Sequence, residues 1–262
     1  MRVATFNLQS GQPNGLSPHG GTGQLTTDEA TMAAAAKMVE LDPDIVCLQE
    51  VRGYQGLTFV HGSSARWSET ALAQRLYTPH SVRTEKRYGI VMYSMLGVEA
   101  SWIWRLPSWH SPIRQTPNGM RFRFEEQRRA IVALVRENGQ PVFVCGTHLA
   151  PTAGLGIRQL HWLEERLDNL ARSTKMPRAP RLIMGDLNIR SEVLRGETRY
   201  TVLGEGDTFP SDSPRTQIDH VIGQGLKVHG SQAVLMPVSD HRALISEIEP
   251  EAGNDPGARP RR

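Results

Sequence analysis

Apolar segments of strand length alternate with polar stretches rich in glycine, proline and serine along most of the chain. Such runs predict strands when they span four to eight residues and turn residues bound them. The pattern predicts strands over 2–8, 44–50, 88–94, 98–104, 181–186, 217–222 and 243–248. Two more runs, 129–136 and 141–149, flank Asn138 and Gly139, a pair typical of tight hairpin turns. At least one antiparallel strand pair is therefore expected.

Three segments show helical features instead. Thr26 and Glu29 form a capping-box pattern ahead of a helix that is predicted to run to Met38. Residues 64–76 form a second helix candidate. The third segment, 157–170, is predicted to be an amphipathic helix because one face carries Leu160, Leu163, Leu167 and Leu170. Hairpins combined with helical crossovers predict an α/β fold with mixed β-sheets.

Composition narrows the class of protein. The chain has 262 residues, of which 39% are hydrophobic and 22% charged, so it is long enough to fold around a large core. We expect one domain over 1–249 and a disordered basic tail over 250–262, which is rich in proline, glycine and arginine. The formal net charge of +3 permits a polyanionic partner without requiring one.

Two observations bear on the cellular compartment. No apolar run approaches the roughly 18 residues that cross a bilayer, and residues 1–10 lack the apolar core of a secretion signal. The only cysteines, Cys47 and Cys145, lie inside apolar runs and are expected to be buried thiols. Two cysteines exclude a disulfide scaffold and a cysteine-rich metal site. A cytoplasmic protein without a transmembrane segment is expected.

Polar residues of functional types stand at the ends of several predicted strands. The segments concerned lead into Asn7, Glu50, His148, Asp186 with Asn188, Asp219, and Asp240 with His241. A single polar strand end carries little information. Six of them predict one edge of the fold where loops converge on a cleft.

The residue types in this set constrain the chemistry. Four carboxylates in one cleft would repel one another and their pKa values would rise, and a divalent cation removes that difficulty. Oxygen ligands favour Mg²⁺, Mn²⁺ or Ca²⁺ over zinc. The two histidines can transfer protons near neutral pH. The two cysteines are not expected to act as covalent nucleophiles, and no serine lies in a Gly-x-Ser-x-Gly nucleophile elbow. Water is therefore the expected attacking group. This combination favours phosphoester hydrolysis over acyl transfer.

The motifs resemble the endonuclease/exonuclease/phosphatase superfamily, which includes deoxyribonuclease I. The resemblance rests on six short motifs in the family's order, spread over residues 5–241. They are TFNLQ around Asn7, Gln49-Glu50-Val51, Thr147-His148-Leu149, Gly185-Asp186-Leu187-Asn188, Ile218-Asp219-His220 and Ser239-Asp240-His241. The resemblance implies a four-layer α/β sandwich, in which two packed mixed β-sheets are flanked by helices.

The resemblance also implies a metal site. Glu50 would be the main ligand of Mg²⁺ or Mn²⁺, with Asn7 beside it. Asp240 would support the same ion or a second one. The protein would then be a divalent-metal-dependent phosphoesterase.

The remaining motif residues receive catalytic roles from the same resemblance. Asp186 and Asn188 would position the attacking water and the scissile phosphate. His241, oriented by Asp219, would contact the phosphate as a general base or a proton donor. His148 would stabilise the phosphate or assist the leaving oxygen.

Substrate choice is less constrained. Arg52, Arg87 and Arg129 are candidate phosphate contacts, with Arg128 an alternative to Arg129. Segment 101–124 mixes tryptophan and arginine, as nucleic-acid grooves do, although the same pattern also suits core tryptophans opposite solvated arginines. The first interpretation is a phosphodiesterase that acts on DNA or RNA. The protein is expected to be a monomer. A phospholipid or small-molecule phosphodiesterase or phosphatase, and a catalytically silent nucleic-acid-binding module, are the alternatives.

Overall fold

The computed structural model describes residues 1–13, 26–75, 88–108, 114–116, 119–121 and 126–251. These residues form sixteen strands and four α-helices. The strands are β1 (Arg2–Asn7), β2 (Ile45–Arg52), β3 (Trp67–Leu72), β4 (Gln74–Arg75), β5 (Tyr88–Ser94), β6 (Val98–Arg105), β7 (Arg114–Thr116), β8 (Gly119–Arg121), β9 (Glu126–Gln127), β10 (Arg129–Glu137), β11 (Gln140–His148), β12 (Arg181–Asp186), β13 (Thr201–Val202), β14 (Asp219–Gln224), β15 (Leu226–Val234) and β16 (Ala243–Pro250). The helices are α1 (Thr27–Glu40), α2 (Gly53–Gly62), α3 (Ala153–Ser173) and α4 (Ser191–Glu197), and Gln9–Gly11 forms a short 3₁₀ turn.

Two six-stranded mixed sheets form the centre of the fold. The first has the spatial order β15-β16-β1-β2-β5-β3, and the second has the order β13-β14-β12-β11-β10-β6. Within them β1 and β2 are parallel, as are β11 and β12, and the neighbouring pairs are antiparallel. Two small two-stranded ribbons, β4 with β9 and β7 with β8, complete the strand pairing.

Alternating side chains of the sheets build three apolar cores. Val3 and Met184 belong to the core between the two sheets. Phe6 faces the opposite way and packs with α1 and α2. Ile183 likewise faces outward, toward Leu160 and Leu163 of α3. Helices, two sheets and helices thus form the expected four-layer α/β sandwich, and burial on both faces explains why the central strands are almost wholly apolar.

Several predicted elements are confirmed with shifted ends. The α1 capping box is present: Oγ1 of Thr26 accepts a hydrogen bond from the Glu29 amide, and the Glu29 carboxylate accepts one from the Thr26 amide. The hairpin of β10 and β11 turns at Asn138 and Gly139, both with positive φ (50° and 82°), as tight hairpins require. The predicted tail, 250–262, lies almost entirely outside the described residues.

The helix predicted over 64–76 is wrong. Within the described part of this segment, Trp67–Leu72 forms the edge strand β3, which pairs antiparallel with β5 over its full length, and Gln74–Arg75 forms β4. Its alanine, leucine and glutamate favour a helix intrinsically, but tertiary strand pairing outweighs that weak preference. The helix lies earlier in the chain, as α2, where Phe59 is buried against the first sheet despite the glycines in the segment.

The Trp-rich strand β6 is an edge strand of the second sheet, and its two tryptophans pack against the core under α3. Trp104 is buried and packs edge-to-face on Trp162 of α3 with ring centroids 6.0 Å apart. The guanidinium of Arg166 lies 5.5 Å from the Trp104 ring centroid. Trp102 is partly buried against the same core and contacts Phe143. These two tryptophans therefore stabilise the packing of α3 on the second sheet.

A buried carboxylate fastens α3 to the segment after α4. Glu164 is fully buried and accepts hydrogen bonds from the Thr198 hydroxyl, the Arg199 amide (3.2 Å) and Nε of Arg199 (3.1 Å). We expect Glu164→Ala to lower the free energy of unfolding by about 2–3 kcal/mol, because the donors would lose their partner. Urea unfolding measures this loss. Glu165→Ala, at the exposed neighbouring position, is the control, and an equal effect of both variants would contradict the assignment.

None of the helices within the described ranges is both long and apolar enough to span a membrane.

Candidate active site

The topology brings strand ends of both sheets to one edge. Asn7 ends β1, and its neighbour in parallel β2 is Gln49, which precedes Glu50. In the second sheet, His148 and Asp186 are register partners at the ends of parallel β11 and β12. Asp219, which begins β14, pairs directly with Asp186 from the other side. The predicted convergence of polar strand ends is therefore realised. The polar cluster comprises Asn7, Glu50, Arg128, His148, Asp186, Asp219 and His241.

A hydrogen bond between Asn7 and Asp186 joins the two sheets inside this cluster. Nδ2 of Asn7 donates to Oδ2 of Asp186 over 2.9 Å, and both residues are buried. Oδ1 of Asp186 accepts the Asn188 amide at 2.9 Å. Asn188 has φ of 52° and donates its side-chain amide to the Leu149 carbonyl at 3.2 Å. Every oxygen of Asp186 thus has a fixed donor, which orients its carboxylate.

Glu50 is directed by an irregularity in β2. The pairing of β2 with β5 shifts register between Leu48 and Val51, and Glu50 within this bulge has φ of 52°. A bulge re-aims side chains, and a positive φ in a residue with a Cβ is costly, so this backbone is held by the surrounding structure. Burial raises the pKa of the Glu50 carboxyl, although the charges of Arg128 and His241 act in the opposite direction.

His241 forms a pair with Asp219. Its Nδ1 lies 2.8 Å from Oδ2 of Asp219, and its Nε2 faces Oδ2 of Asp186 at 4.0 Å. The ring of Phe209 packs beside it, with centroids 5.2 Å apart. Burial opposes a positive charge on His241, but the neighbouring carboxylates, Asp219 foremost, outweigh it and raise the pKa of His241 to about 9. The imidazole is therefore a proton donor near neutral pH.

Ser239 holds the loop that carries His241. Its hydroxyl donates to the Asn7 carbonyl at 2.6 Å and accepts the His241 amide at 3.0 Å. Ser239 is buried and has φ of 79°. The loop before β16 is thus tied to the end of β1.

His148 lies on the far side of Asp186, next to Arg128. Its Nε2 is 3.4 Å from Oδ2 of Asp186, and its Nδ1 is 2.8 Å from a terminal nitrogen of Arg128. Burial, followed by the positive charge of Arg128, holds the pKa of His148 well below its usual range. Burial, followed by the charge of Asp219, raises the pKa of Asp186.

The other predicted residues lie at the rim or outside. Asp240 is partly exposed, with Oδ1 3.9 Å from Nε2 of His241. Arg52 is exposed at the start of α2. Arg129 donates from Nε to the Leu72 carbonyl at 2.8 Å, whereas Arg128 reaches the cluster. Arg87 lies outside the described residues.

Sequence reasoning did not identify three contributors. Tyr88 donates a hydrogen bond to Glu126, whose carboxylate lies 3.8 Å from Arg128, and Phe209 packs on His241. Tyr88 and Glu126 stand at strand ends, but nothing in their local sequence relates them to His148. Arg128 and Arg129 are adjacent, and which of them faces the cluster depends on the register of the strand that begins there.

The donor set suits a hard divalent cation. The cluster holds three carboxylates, and Oδ1 of Asp219 is buried without a hydrogen-bond partner among the described residues. Carboxylate and amide oxygens are the ligands that Mg²⁺ and Mn²⁺ prefer. Ligand atoms of Asp186, Asp219 and His241 lie within 4.8 Å of one another. Oxygen donors of the cluster, among them the Glu50 carboxylate and the Asn7 side-chain oxygen, therefore suit such an ion.

His220, beside Asp219, is a buried structural histidine. Its Nε2 is 2.7 Å from the Ile189 carbonyl, and burial lowers the pKa of His220 to about 4. The unfolded imidazole binds its proton near pH 6.5, so acid favours the unfolded chain. Between pH 7 and pH 5, wild type should lose about 2 kcal/mol of unfolding free energy that His220→Gln does not lose. Urea unfolding at both pH values measures this, and equal losses would refute it.

Comparison with known proteins agrees with this geometry. The sequence model of the Endonuclease/Exonuclease/phosphatase family matches residues 4–241. No curated protein matches the sequence significantly. Many solved structures share the fold, among them an endonuclease/exonuclease/phosphatase from Beutenbergia cavernae with a TM-score of 0.69 and 19% identity, over 96% of this chain and 72% of that one. This chain belongs to the endonuclease/exonuclease/phosphatase family, whose members are generally phosphoesterases.

Two further structural neighbours have specific names. A mannosyl-6-phosphatase from Bacteroides thetaiotaomicron has a TM-score of 0.63 and 14% identity, and the match covers 95% of this chain and 99% of that one. The catalytic domain of human nocturnin, with a bound sulfate, has a TM-score of 0.63 and 18% identity over 95% and 93% of the two chains. At these identities the likeness concerns the fold alone.

Proposed function

We propose that this protein is a divalent-metal-dependent phosphodiesterase that uses water as the nucleophile, and that its substrate is a nucleic acid. The observation that carries the proposal is the placement of Asp186 between two histidines, 3.4 Å from His148 and 4.0 Å from His241. A carboxylate that faces two ring nitrogens can orient a water molecule between groups that donate and accept protons. Both cysteines are buried in the apolar cores, which leaves the attack to water.

His241 would act on the phosphate through Nε2. Because Asp219 fixes Nδ1 as a donor, the ring presents Nε2 to the space beside Asp186. A protonated Nε2 would donate to a phosphate oxygen and favour the charge that develops there. Asp186 would orient the attacking water through the oxygen that faces both histidines, and Asn188 would keep that carboxylate in place.

Glu50 and Asn7 would hold the cation, with Asp240 at the rim as a further ligand. When bound, Mg²⁺ or Mn²⁺ supplies Lewis-acid stabilisation of the phosphate and of the oxygen nucleophile. The bulge that aims Glu50 into the cluster keeps this carboxylate near Asn7, whose side chain bonds to it.

Nucleic acid is proposed because its phosphodiesters carry one negative charge per residue, and Arg128 in the cluster and Arg52 beside it offer positive charge to them. Arg52 stands exposed two residues beyond Glu50, where it would contact a flanking phosphate. A phosphate contact of this kind positions substrate without reading sequence.

The test compares a small phosphodiester, a small phosphomonoester, plasmid DNA and RNA, each with and without a chelator. We expect hydrolysis of bis-p-nitrophenyl phosphate and nicking of supercoiled plasmid with Mg²⁺ or Mn²⁺, and neither with the chelator. Hydrolysis confined to p-nitrophenyl phosphate would instead indicate a monoesterase, as in the neighbour named a mannosyl-6-phosphatase. Cleavage of the small diester without any cleavage of DNA or RNA would refute the nuclease assignment and keep the phosphodiesterase.

A further inference from the structure

The contact between Arg128 and His148 constrains where His148 carries its proton. A guanidinium has five N–H donors and no acceptor, so a ring nitrogen 2.8 Å from it must offer a lone pair. Nδ1 of His148 is therefore unprotonated. A neutral imidazole then carries its single hydrogen on Nε2, which lies 3.4 Å from the Asp186 carboxylate, an acceptor. Both ends of the ring agree on one tautomer.

The surroundings hold Arg128 in this position. Arg128 is only 9% exposed, and its carbonyl accepts the Leu106 amide at 3.0 Å. Its guanidinium lies 3.8 Å from the Glu126 carboxylate, which also accepts the hydroxyl hydrogen of Tyr88. This guanidinium therefore contacts Nδ1 of His148, and Asp186 faces Nε2 on the other side of the ring.

We propose that Arg128 is a positioning residue for His148, which it locks in the Nε2–H tautomer so that the ring donates a hydrogen bond toward the phosphate site beside Asp186. This inference rests on the proposed function for its catalytic consequence, but the tautomer itself does not depend on any activity. In the opposite tautomer, the Nε2 lone pair would face the Asp186 carboxylate and the phosphate oxygens, and the donor would be lost. Arg128 thus acts through His148, in contrast to a residue that simply attracts substrate.

The direct test is the ¹⁵N spectrum of histidine-labelled protein, in which two-bond couplings distinguish the tautomers. We expect wild-type His148, assigned by its absence in His148→Ala, to show a protonated Nε2 and an unprotonated Nδ1. In Arg128→Met the Nδ1 signal should move away from its wild-type value, because Nδ1 loses the donor that fixes its lone pair while Asp186 still accepts from Nε2. Arg128→Lys, which also donates and cannot accept, should retain the wild-type pattern. The buried His220, which bonds to Ile189, reports in the same spectrum whether each variant is folded.

Kinetics with bis-p-nitrophenyl phosphate then test the consequence. Arg128→Met should lower kcat by about tenfold to a hundredfold with little change in KM, and Arg128→Lys should recover most of it. In a His148→Ala background the same Arg128→Met change should cost less than about twofold, because the two residues act as one unit. Arg136→Met, at the exposed far end of β10, is the control.

Three results would overturn the proposal. They are a wild-type His148 protonated on Nδ1, an unchanged His148 signal in Arg128→Met, and an equal kcat loss from Arg128→Met with and without His148. A rise in KM alone would assign Arg128 to substrate attraction and also refute the positioning role. Wild-type protein that shows the expected tautomer but hydrolyses no phosphate ester would instead refute the proposed function, so the two failures are distinguishable.

Discussion

Replacing Glu50 with glutamine should abolish metal-dependent phosphodiester hydrolysis, with a loss of about a thousandfold or more in kcat/KM. Such a loss equals about 4 kcal/mol of transition-state stabilisation. The physical reason is that glutamine preserves shape but removes the charge that would hold the cation. Turnover of bis-p-nitrophenyl phosphate with Mn²⁺ measures the effect. Glu40→Gln, at the exposed end of α1, should retain full activity.

The same substitution should have the opposite effect on stability. Burial raises the pKa of Glu50 in the folded protein, so the ionised carboxylate opposes folding above its ordinary pKa, and a neutral amide relieves this. In chelator at pH 8, Glu50→Gln should therefore unfold at a higher temperature than wild type, and Mn²⁺ should stabilise wild type only. Equal stabilisation of both proteins by Mn²⁺ would refute the assignment of Glu50 as a metal ligand.

Replacing His241 with asparagine should cost about a thousandfold in kcat. The asparagine amide can still donate a hydrogen bond, but it cannot carry the proton that Asp219 and its neighbours stabilise on the imidazole. Asp219→Asn should produce a comparable loss, because the ring would lose its orienting partner. His61→Asn, on the exposed end of α2, is the control. Activity retained in His241→Asn would refute the proposed proton role.

The raised pKa of His241 predicts a loss of stability at alkaline pH. The pKa of His241 is raised to about 9 in the folded protein, so its charged form stabilises the fold below its ordinary pKa. This contribution disappears as the pH rises through 9. In chelator, wild type should lose more unfolding free energy between pH 7 and pH 9.5 than His241→Asn loses. Urea unfolding at the two pH values measures the difference, and identical losses would contradict the raised pKa.

The strand-end residues of the site were predictable from sequence because each follows or begins a short apolar run. Parallel and antiparallel neighbours then bring such ends to one edge without further information, as with His148, Asp186 and Asp219. The hairpin at Asn138 and Gly139 was predictable for a local reason, since its positive φ values suit those residue types. Local pattern therefore accounts for most of the second sheet.

Other features depend on contacts that local sequence does not encode. Segment 64–76 has helical preferences, yet Trp67–Leu72 within it completes the edge of a sheet by pairing with β5. The bulge that aims Glu50 arises in the pairing of two strands, and no glycine or proline marks it. Arg128 and Arg129 are adjacent and chemically identical, so only the folded backbone reveals that Arg128 faces His148. The catalytic roles of all these site residues stay predictions.

In the proposed reaction, acidic side chains from distant parts of the chain gather a cation, and water cleaves a P–O bond beside it. Hydrolysis of bis-p-nitrophenyl phosphate in ¹⁸O-labelled water, by protein stripped with a chelator and then refilled with Mn²⁺, tests this reaction. We expect no turnover before refilling, recovered turnover afterwards, and one ¹⁸O atom in the p-nitrophenyl phosphate product. Undiminished turnover of the stripped protein, or product phosphate without ¹⁸O, would contradict it.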